Sequence, residues 1–263
     1  MDLVKVVIPI YKVDLPSLYI KILQHNLNML HKYIIVFICP VDLDISKLLL
    51  NFSTNKIEIE RFDGIYFQGI EGYNSLMLSS SFYSRFSNTK YILICQTDAF
   101  VFRDELLFWC DKNYDYIGAP WIGSSNSFYN ISLRKINNVI RRLKGKRARN
   151  WEHLFKVGNG GFSLRKVQLH FSIAKNYSEV IEEYLKDKNS IYHVEDVFWS
   201  MKAPLLDSSF SIPDYKEAVS FAIDRKPEIA MELNGGNVPF ACHGYDKPKV
   251  ENFWKPLLAK YSI

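Results

Sequence analysis

The chain has 263 residues and carries 33 Lys and Arg against 28 Asp and Glu, a net charge of +5. An apolar fraction of 48% and a charged fraction of 23% exclude a disordered polymer, and 12 glycines with 10 prolines exclude a collagen-like or low-complexity one. A chain of this length buries a full core without staples.

Taken in order, residues 3–10 read as a buried strand. Leu18, Ile22, Leu23, Leu27 and Leu30 then recur at helical spacing after a proline start. Tyr33 to Cys39 and Ile57 to Phe62 read as a second and a third strand, residues 71–86 as a helix, and Tyr91 to Cys95 as a fourth strand. Alternating helices and continuous apolar strands predict an α/β fold with a mostly parallel central sheet flanked by helices. Ligands of such sheets bind beyond the carboxyl ends of the strands. The loops after Ile10, Phe62 and Cys95 are therefore the first places to look. The second half holds Tyr116 to Trp121, a basic segment over 134–149, a glycine turn at 158–161, a helix around 166–186, and a C-terminal amphipathic segment. No repeat and no linker of shifted composition divides the chain, so one domain over 1–263 is expected, with an insertion near 122–150.

The four cysteines, Cys39, Cys95, Cys110 and Cys242, form no C-x-x-C pair, which speaks against a zinc or redox motif. They read as the reduced, buried thiols of a cytoplasmic protein. No apolar run approaches the roughly 18 residues that span a bilayer. The stretch from Val4 to Ile10 is short, broken by Lys5 and closed by Pro9, unlike a signal peptide. Any membrane contact is thus expected to be peripheral.

Four places carry residues suited to chemistry. Asp98 follows the tip of the fourth strand, where a carboxylate either caps the next segment or holds a cation. Val157-Gly-Asn-Gly-Gly-Phe-Ser-Leu-Arg either makes a tight turn or lets backbone pass close to a ligand. It lacks the G-K-[ST] of a P-loop. Glu195 and Asp196 sit beside Phe198 and Trp199. Adjacent helical side chains diverge by about 100°, so only one faces a given point. Either the pair serves the helix dipole, or a desolvated carboxylate there serves as a base. His243, followed by a glycine, is either a satisfied core residue or a ligand.

In this order the four pieces resemble glycosyltransferases of the GT-A fold. The counterparts are Gln96-Thr97-Asp98 for the Asp-x-Asp metal motif, Gly158-Asn159-Gly160-Gly161 for the glycine-rich segment, Val194-Glu195-Asp196 for the acidic motif, and His243 for the C-terminal metal-binding histidine. Gly-Gly-Phe-Ser-Leu and Glu-Asp-Val also resemble Fringe-type β1,3-glycosyltransferases. Over residues 60–246 the chain is similar to a family of bacterial glycosyltransferases from surface-polysaccharide gene clusters. The matching segments there include Tyr114-Asp-Tyr-Ile-Gly-Ala-Pro-Trp, Glu195-Asp-Val-Phe-Trp and Pro239-Phe-Ala-Cys-His-Gly. The departure is Gln96, where the motif has its first Asp.

The resemblance implies a nucleotide-binding half over 1–100, a donor and acceptor half over 101–246, and a C-terminal segment over 247–263. It implies transfer of a sugar from a nucleotide diphosphate, UDP above all, to a saccharide or lipid-linked saccharide acceptor, with inversion. Asp196 is the implied base and Glu195 a positioning residue. Asp98 and His243 are the implied ligands of Mn²⁺ or Mg²⁺. Tyr11, Tyr73 and Asn74 would join Asp98 around the nucleotide. Trp121, Asn159, Gly160 and Gly161 would meet the donor sugar or the acceptor. Two other functions remain open. One is a non-catalytic glycan- or nucleotide-sugar-binding protein. The other is a sugar-phosphate nucleotidyltransferase, against which the glycine-free loop after the first strand counts.

The basic segment reads as an amphipathic helix with Leu133, Ile136, Ile140 and Leu143 at helical spacing. Residues 134–149 hold eight basic side chains and no acid, including Arg141, Arg142, Lys144, Lys146, Arg147 and Arg149. Without those eight, 25 basic side chains face 28 acidic ones, so the net positive charge is local. A solvated face is one reading. An anionic membrane surface or a lipid-linked diphosphate is the other. No nucleic-acid-binding motif accompanies the patch.

Overall fold

The first strand, β1 (Asp2–Pro9), is a run of β-branched residues whose alternation sends side chains to two separate cores. Val4, Val6 and Ile8 pack with Leu23 and Leu27 of the helix Ser17–Met29 on one face. Val7 packs on the other face with Leu76, Met77 and Phe82. The chain, here a computed structural model, is described over residues 1–52, 56–123, 128–144, 151–187 and 190–263. The remaining strands are β2 (Ile34–Pro40), β3 (Ile57–Phe62), β4 (Thr89–Cys95), β5 (Ala99–Val101), β6 (Tyr116–Gly118), β7 (Phe162–Lys166), β8 (Ala222–Ile223) and β9 (Ala241–His243).

A six-stranded sheet runs in the order β3-β2-β1-β4-β7-β6. The first four strands are parallel, and β7 and β6 join antiparallel. The sheet is thus mostly parallel and flanked by helices, as the alternation predicts. Its centre is sealed: Leu93 and Ile94 of β4 are wholly buried. Truncating such a leucine to alanine costs about 2–5 kcal/mol.

Two predicted helices are each divided. Over 71–86 the chain forms Gly69–Met77 and Ser80–Ser84, because the Ser79 hydroxyl accepts from Phe82 N at 3.2 Å and starts a new helix. Over 166–186 it forms Val167–Asn176 and Ser178–Lys186, with Tyr177 leaving helical geometry at ψ 28°. The basic segment is helical over Phe128–Leu143. Lys146, Arg147 and Arg149 lie outside the described residues, as does the side chain of Arg142.

A second sheet orders its three short strands β5-β9-β8. Ala99 pairs with His243 across the antiparallel β5 and β9, and Ile223 pairs with Cys242 across the parallel β8 and β9. Asp98 precedes β5, Asp224 follows β8, and His243 ends β9. The register therefore brings these three residues to one end of the sheet. The C-terminal helix Glu251–Leu258 supports it, with Trp254 packed among Phe100, Phe102 and Cys242. All four cysteines are buried and unbridged. Among the described residues no helix is long and apolar enough to cross a membrane.

Candidate active site

A cavity of about 450 Å³ opens beyond the carboxyl ends of the parallel strands. Nine of the residues singled out from sequence line it: Tyr11, Tyr73, Asn74, Asn159, Gly160, Gly161, Glu195, Asp196 and His243. Tyr66, Phe67, Ile70 and Gln96 complete much of the wall. Asp98, expected around the nucleotide, does not line it, and neither does Trp121. Its ring is buried against Gly158, edge-on to His153.

The glycine run owes its composition to close approach. Gly161 O accepts from Gln96 N at 2.8 Å, which ties the run to the turn after β4. A Cβ on Gly161 would collide with the His243 ring, and one on Gly160 with the Glu195 carboxylate. Asn159 holds a left-handed φ of 61°, and its side chain accepts from Gly161 N at 3.3 Å. These residues therefore set the spacing between the histidine and the acidic pair.

At the acidic pair, Glu195 and Asp196 open a short helix, Glu195–Val197, that continues as a π-helical turn over Phe198–Lys202. π-turns recur at functional sites. Asn74 Oδ1 accepts from Glu195 N at 3.3 Å. Glu195 is sealed and paired with Arg165, whose Nη1 lies 3.0 Å from Oε2 and whose Nη2 lies 3.2 Å from Oε1. Arg165 is itself wholly buried and also donates to Ser163 Oγ and Tyr83 OH. The acidic pair is therefore unequal. Burial, and then the Glu195 charge, raise the Asp196 carboxyl to about 7 against the counter-effect of the Val197 and Gly160 N–H groups. Asp196 Oδ1 is buried with no hydrogen-bond partner among the described residues. Such an orphaned atom at a cavity wall suits a ligand hydroxyl.

At the other end, His243 Nε2 lies 3.1 Å from Asp98 Oδ1 and 3.2 Å from Gln96 Oε1. Its Nδ1 lies 3.3 Å from Asp224 Oδ1, which also receives Lys247 Nζ at 2.8 Å. Burial disfavours the charged ring, yet Asp98 and Asp224 raise His243 to about 9. Burial would also push Asp98 up, but His243 outweighs it and holds that carboxyl below its usual range. Asp224 lies well below the usual range for the same reason, with Lys247 adding to it.

Asp98, Gln96 and His243 present the oxygen and imidazole donor types that a divalent cation takes, here in contact with one another. Cis donors on an octahedral ion with bonds of about 2.1 Å stand about 3.0 Å apart. Asp98 Oδ1 and Gln96 Oε1 stand at nearly that distance from His243 Nε2. Asp224 faces the other ring nitrogen, the arrangement in which a carboxylate fixes the tautomer of a metal-binding histidine. Among the described residues no three His, Cys, Asp or Glu side chains gather as a ready-made metal cluster. The donors on the Nε2 side are one carboxylate, one imidazole and the Gln96 amide.

Three residues of this site carry no motif of their own: Arg165, Asp224 and Lys247. Arg165 ends the glycine segment and Lys247 follows His243 by four residues, so proximity to a motif was their one sequence signal. Asp224 had none. A second cavity of about 290 Å³ lies beside Asn74, Glu71 and His193.

The sheet order, the antiparallel return through β7 and the loop-built cavity define a GT-A-like glycosyltransferase fold. A solved structure of mouse xyloside xylosyltransferase 1, in its apo form, aligns with 93% of this chain and 98% of its own, at a TM-score of 0.53 and 11% identity. A glycosyltransferase involved in glycosylation of the major capsid of PBCV-1 aligns with 92% of this chain and 93% of its own, at a TM-score of 0.47 and 8% identity. No curated protein matches the chain in sequence. Residues 56–243 match DUF5672, described as a protein of unknown function, and the chain belongs to that family.

Proposed function

We propose that the protein is a nucleotide-sugar-dependent glycosyltransferase that acts with inversion and uses Asp196 as its general base. The observation that carries this reading is the unequal acidic pair. One carboxylate is held by Arg165, while its neighbour is raised to about 7 and presents an unsatisfied oxygen at the cavity. A base with that pKa is half ionised near neutral pH, which suits removal of a hydroxyl proton.

In the proposed step an acceptor hydroxyl oxygen attacks the anomeric carbon of the donor sugar. Asp196 takes the hydroxyl proton, and the bond between the anomeric carbon and the diphosphate oxygen breaks, its electron pair leaving on the diphosphate. Asp98, Gln96 and His243 would hold Mn²⁺ or Mg²⁺, which when bound offsets the charge gained by the leaving diphosphate. Lys247 adds a fixed positive charge beside them. Tyr11, Tyr73 and Asn74 would meet the nucleotide, and Asn159, Gly160 and Gly161 the donor sugar or the acceptor. UDP-sugars are the first donors to try, and a saccharide, lipid-linked or not, of a bacterial surface polysaccharide is the acceptor class. Thermal shift across UDP-, GDP-, CMP- and dTDP-sugars, with Mn²⁺ and with chelator, tests the donor. A cation-dependent rise in the melting midpoint with one nucleotide supports the reading. No rise with any of them removes it.

A further inference from the structure

The helix Phe128–Leu143 turns an apolar stripe toward solvent. Leu133 is 37% exposed, Ile136 54%, Val139 56%, Ile140 43% and Leu143 83%. At 100° per residue these five positions fall within about 120° of arc. Among the described side chains, Lys135, Arg141 and Lys144 fall on the remainder. A helix that serves only as a solvated spacer has no need of such a stripe, and one that serves a core would bury it.

We infer that this helix is an interfacial element that lays the protein on an anionic lipid surface. The stripe would enter the acyl boundary while the basic flanks meet the headgroups, the arrangement of monotopic amphipathic helices. The local positive charge favours this occupant. Residues 134–149 hold eight basic side chains and no acid, whereas the rest of the chain is slightly acidic. Anionic headgroups attract a basic segment of this kind. A second copy of the chain would bring a like-charged flank against it. A nucleic acid would satisfy the charges but leave five large apolar side chains in water. The position in the chain adds a consequence. Gly123 and Phe128 are five residues apart, so the helix starts at most about 18 Å from Gly123. Gly123 in turn follows the Trp121 that packs against the glycine run. A docked helix would hold the cavity near the membrane plane, where a lipid-linked substrate is presented.

The test is flotation of the full chain with vesicles of phosphatidylcholine containing about 30% phosphatidylglycerol, against pure phosphatidylcholine. The proposal expects binding to the anionic vesicles, weakened by salt and absent from the neutral ones. It also expects a loss of about tenfold or more in partitioning for the double substitution Ile136→Asp with Ile140→Asp, and a comparable loss for Arg141→Glu with Lys144→Glu. An unchanged melting midpoint shows that these variants fold. Should they not, Ile136→Cys carrying an environment-sensitive fluorophore gives the same answer by a blue shift on anionic vesicles, the four native cysteines being buried. No binding to anionic vesicles, binding untouched by the apolar substitutions, tighter binding to RNA than to vesicles, or a dimer abolished by Ile136→Asp overturns the proposal. The assay contains no nucleotide, so its failure leaves the transferase reading standing.

Discussion

Arg165 Nη1 lies 3.0 Å from Glu195 Oε2, and both side chains are sealed from solvent. In the proposed reaction this pair gives one of two adjacent carboxylates a structural role and leaves the other as the base. A buried ion pair that loses one partner leaves an uncompensated charge. Arg165→Met is therefore expected to destabilise the protein by about 3–5 kcal/mol. The further change Glu195→Gln should recover part of that loss. Urea denaturation of the two single variants and the double variant measures the coupling. Additive effects would contradict the pairing.

Asp196 sets a pH dependence with a definite sign. Its carboxyl is raised to about 7 by burial and by Glu195. As a base it works deprotonated, so kcat/KM should rise with pH through about 7 and then level off. Stability should move the opposite way. Between the ordinary carboxylate range and about 7 the folded state holds a proton that the unfolded state releases, so stability falls as pH rises. Asp196→Asn should flatten that slope and melt higher than the parent at about pH 8. Melting curves at acid and alkaline pH check both halves.

Gly161 is required by the His243 ring rather than by its own backbone angles, since its φ is not left-handed. Gly161→Ala should leave the fold intact but displace the ring. A displacement on the order of 1 Å is enough to cost about 10²-fold in turnover. Steady-state kinetics beside a melting curve separates the two effects. A variant with parental kcat would show that the contact is slack.

Asp224 lies on the far side of His243 from Asp98. If it orients the ring, Asp224→Asn should weaken Mn²⁺ affinity by about 10–100-fold. Calorimetric titration of the protein with Mn²⁺ alone reads this without any sugar. Unchanged affinity would leave Asp224 as a partner of Lys247 only.

Much of the fold was legible because β1, β2 and β4 are long apolar runs buried on both faces. The antiparallel return was not legible. Strand direction leaves no mark on composition, and β6 has only three residues. The second sheet was hidden for a related reason, its strands being two or three residues long and too short for periodicity. Yet its register is what joins Asp98 to His243 across 145 residues of chain. At the candidate site, the motif residues Asn159, Gly160, Gly161, Glu195, Asp196 and His243 line one cavity. Arg165 and Asp224 were not legible, because each acts by touching a motif residue, a relation that only packing reveals. Trp121 is the converse case. The resemblance implies that it meets the donor sugar or the acceptor, whereas the fold packs its ring against Gly158, outside the cavity lining.

The most direct test compares the parent with Asp196→Asn on the nucleotide sugar that raises the melting midpoint, with nucleotide release and calorimetric binding measured together. The expected result is a fall in turnover of about 10²–10⁴-fold, with nucleotide affinity kept within about threefold. Parental turnover in Asp196→Asn, or no nucleotide released by the parent from any sugar that binds, would contradict the assignment of Asp196 as the base of a glycosyl transfer.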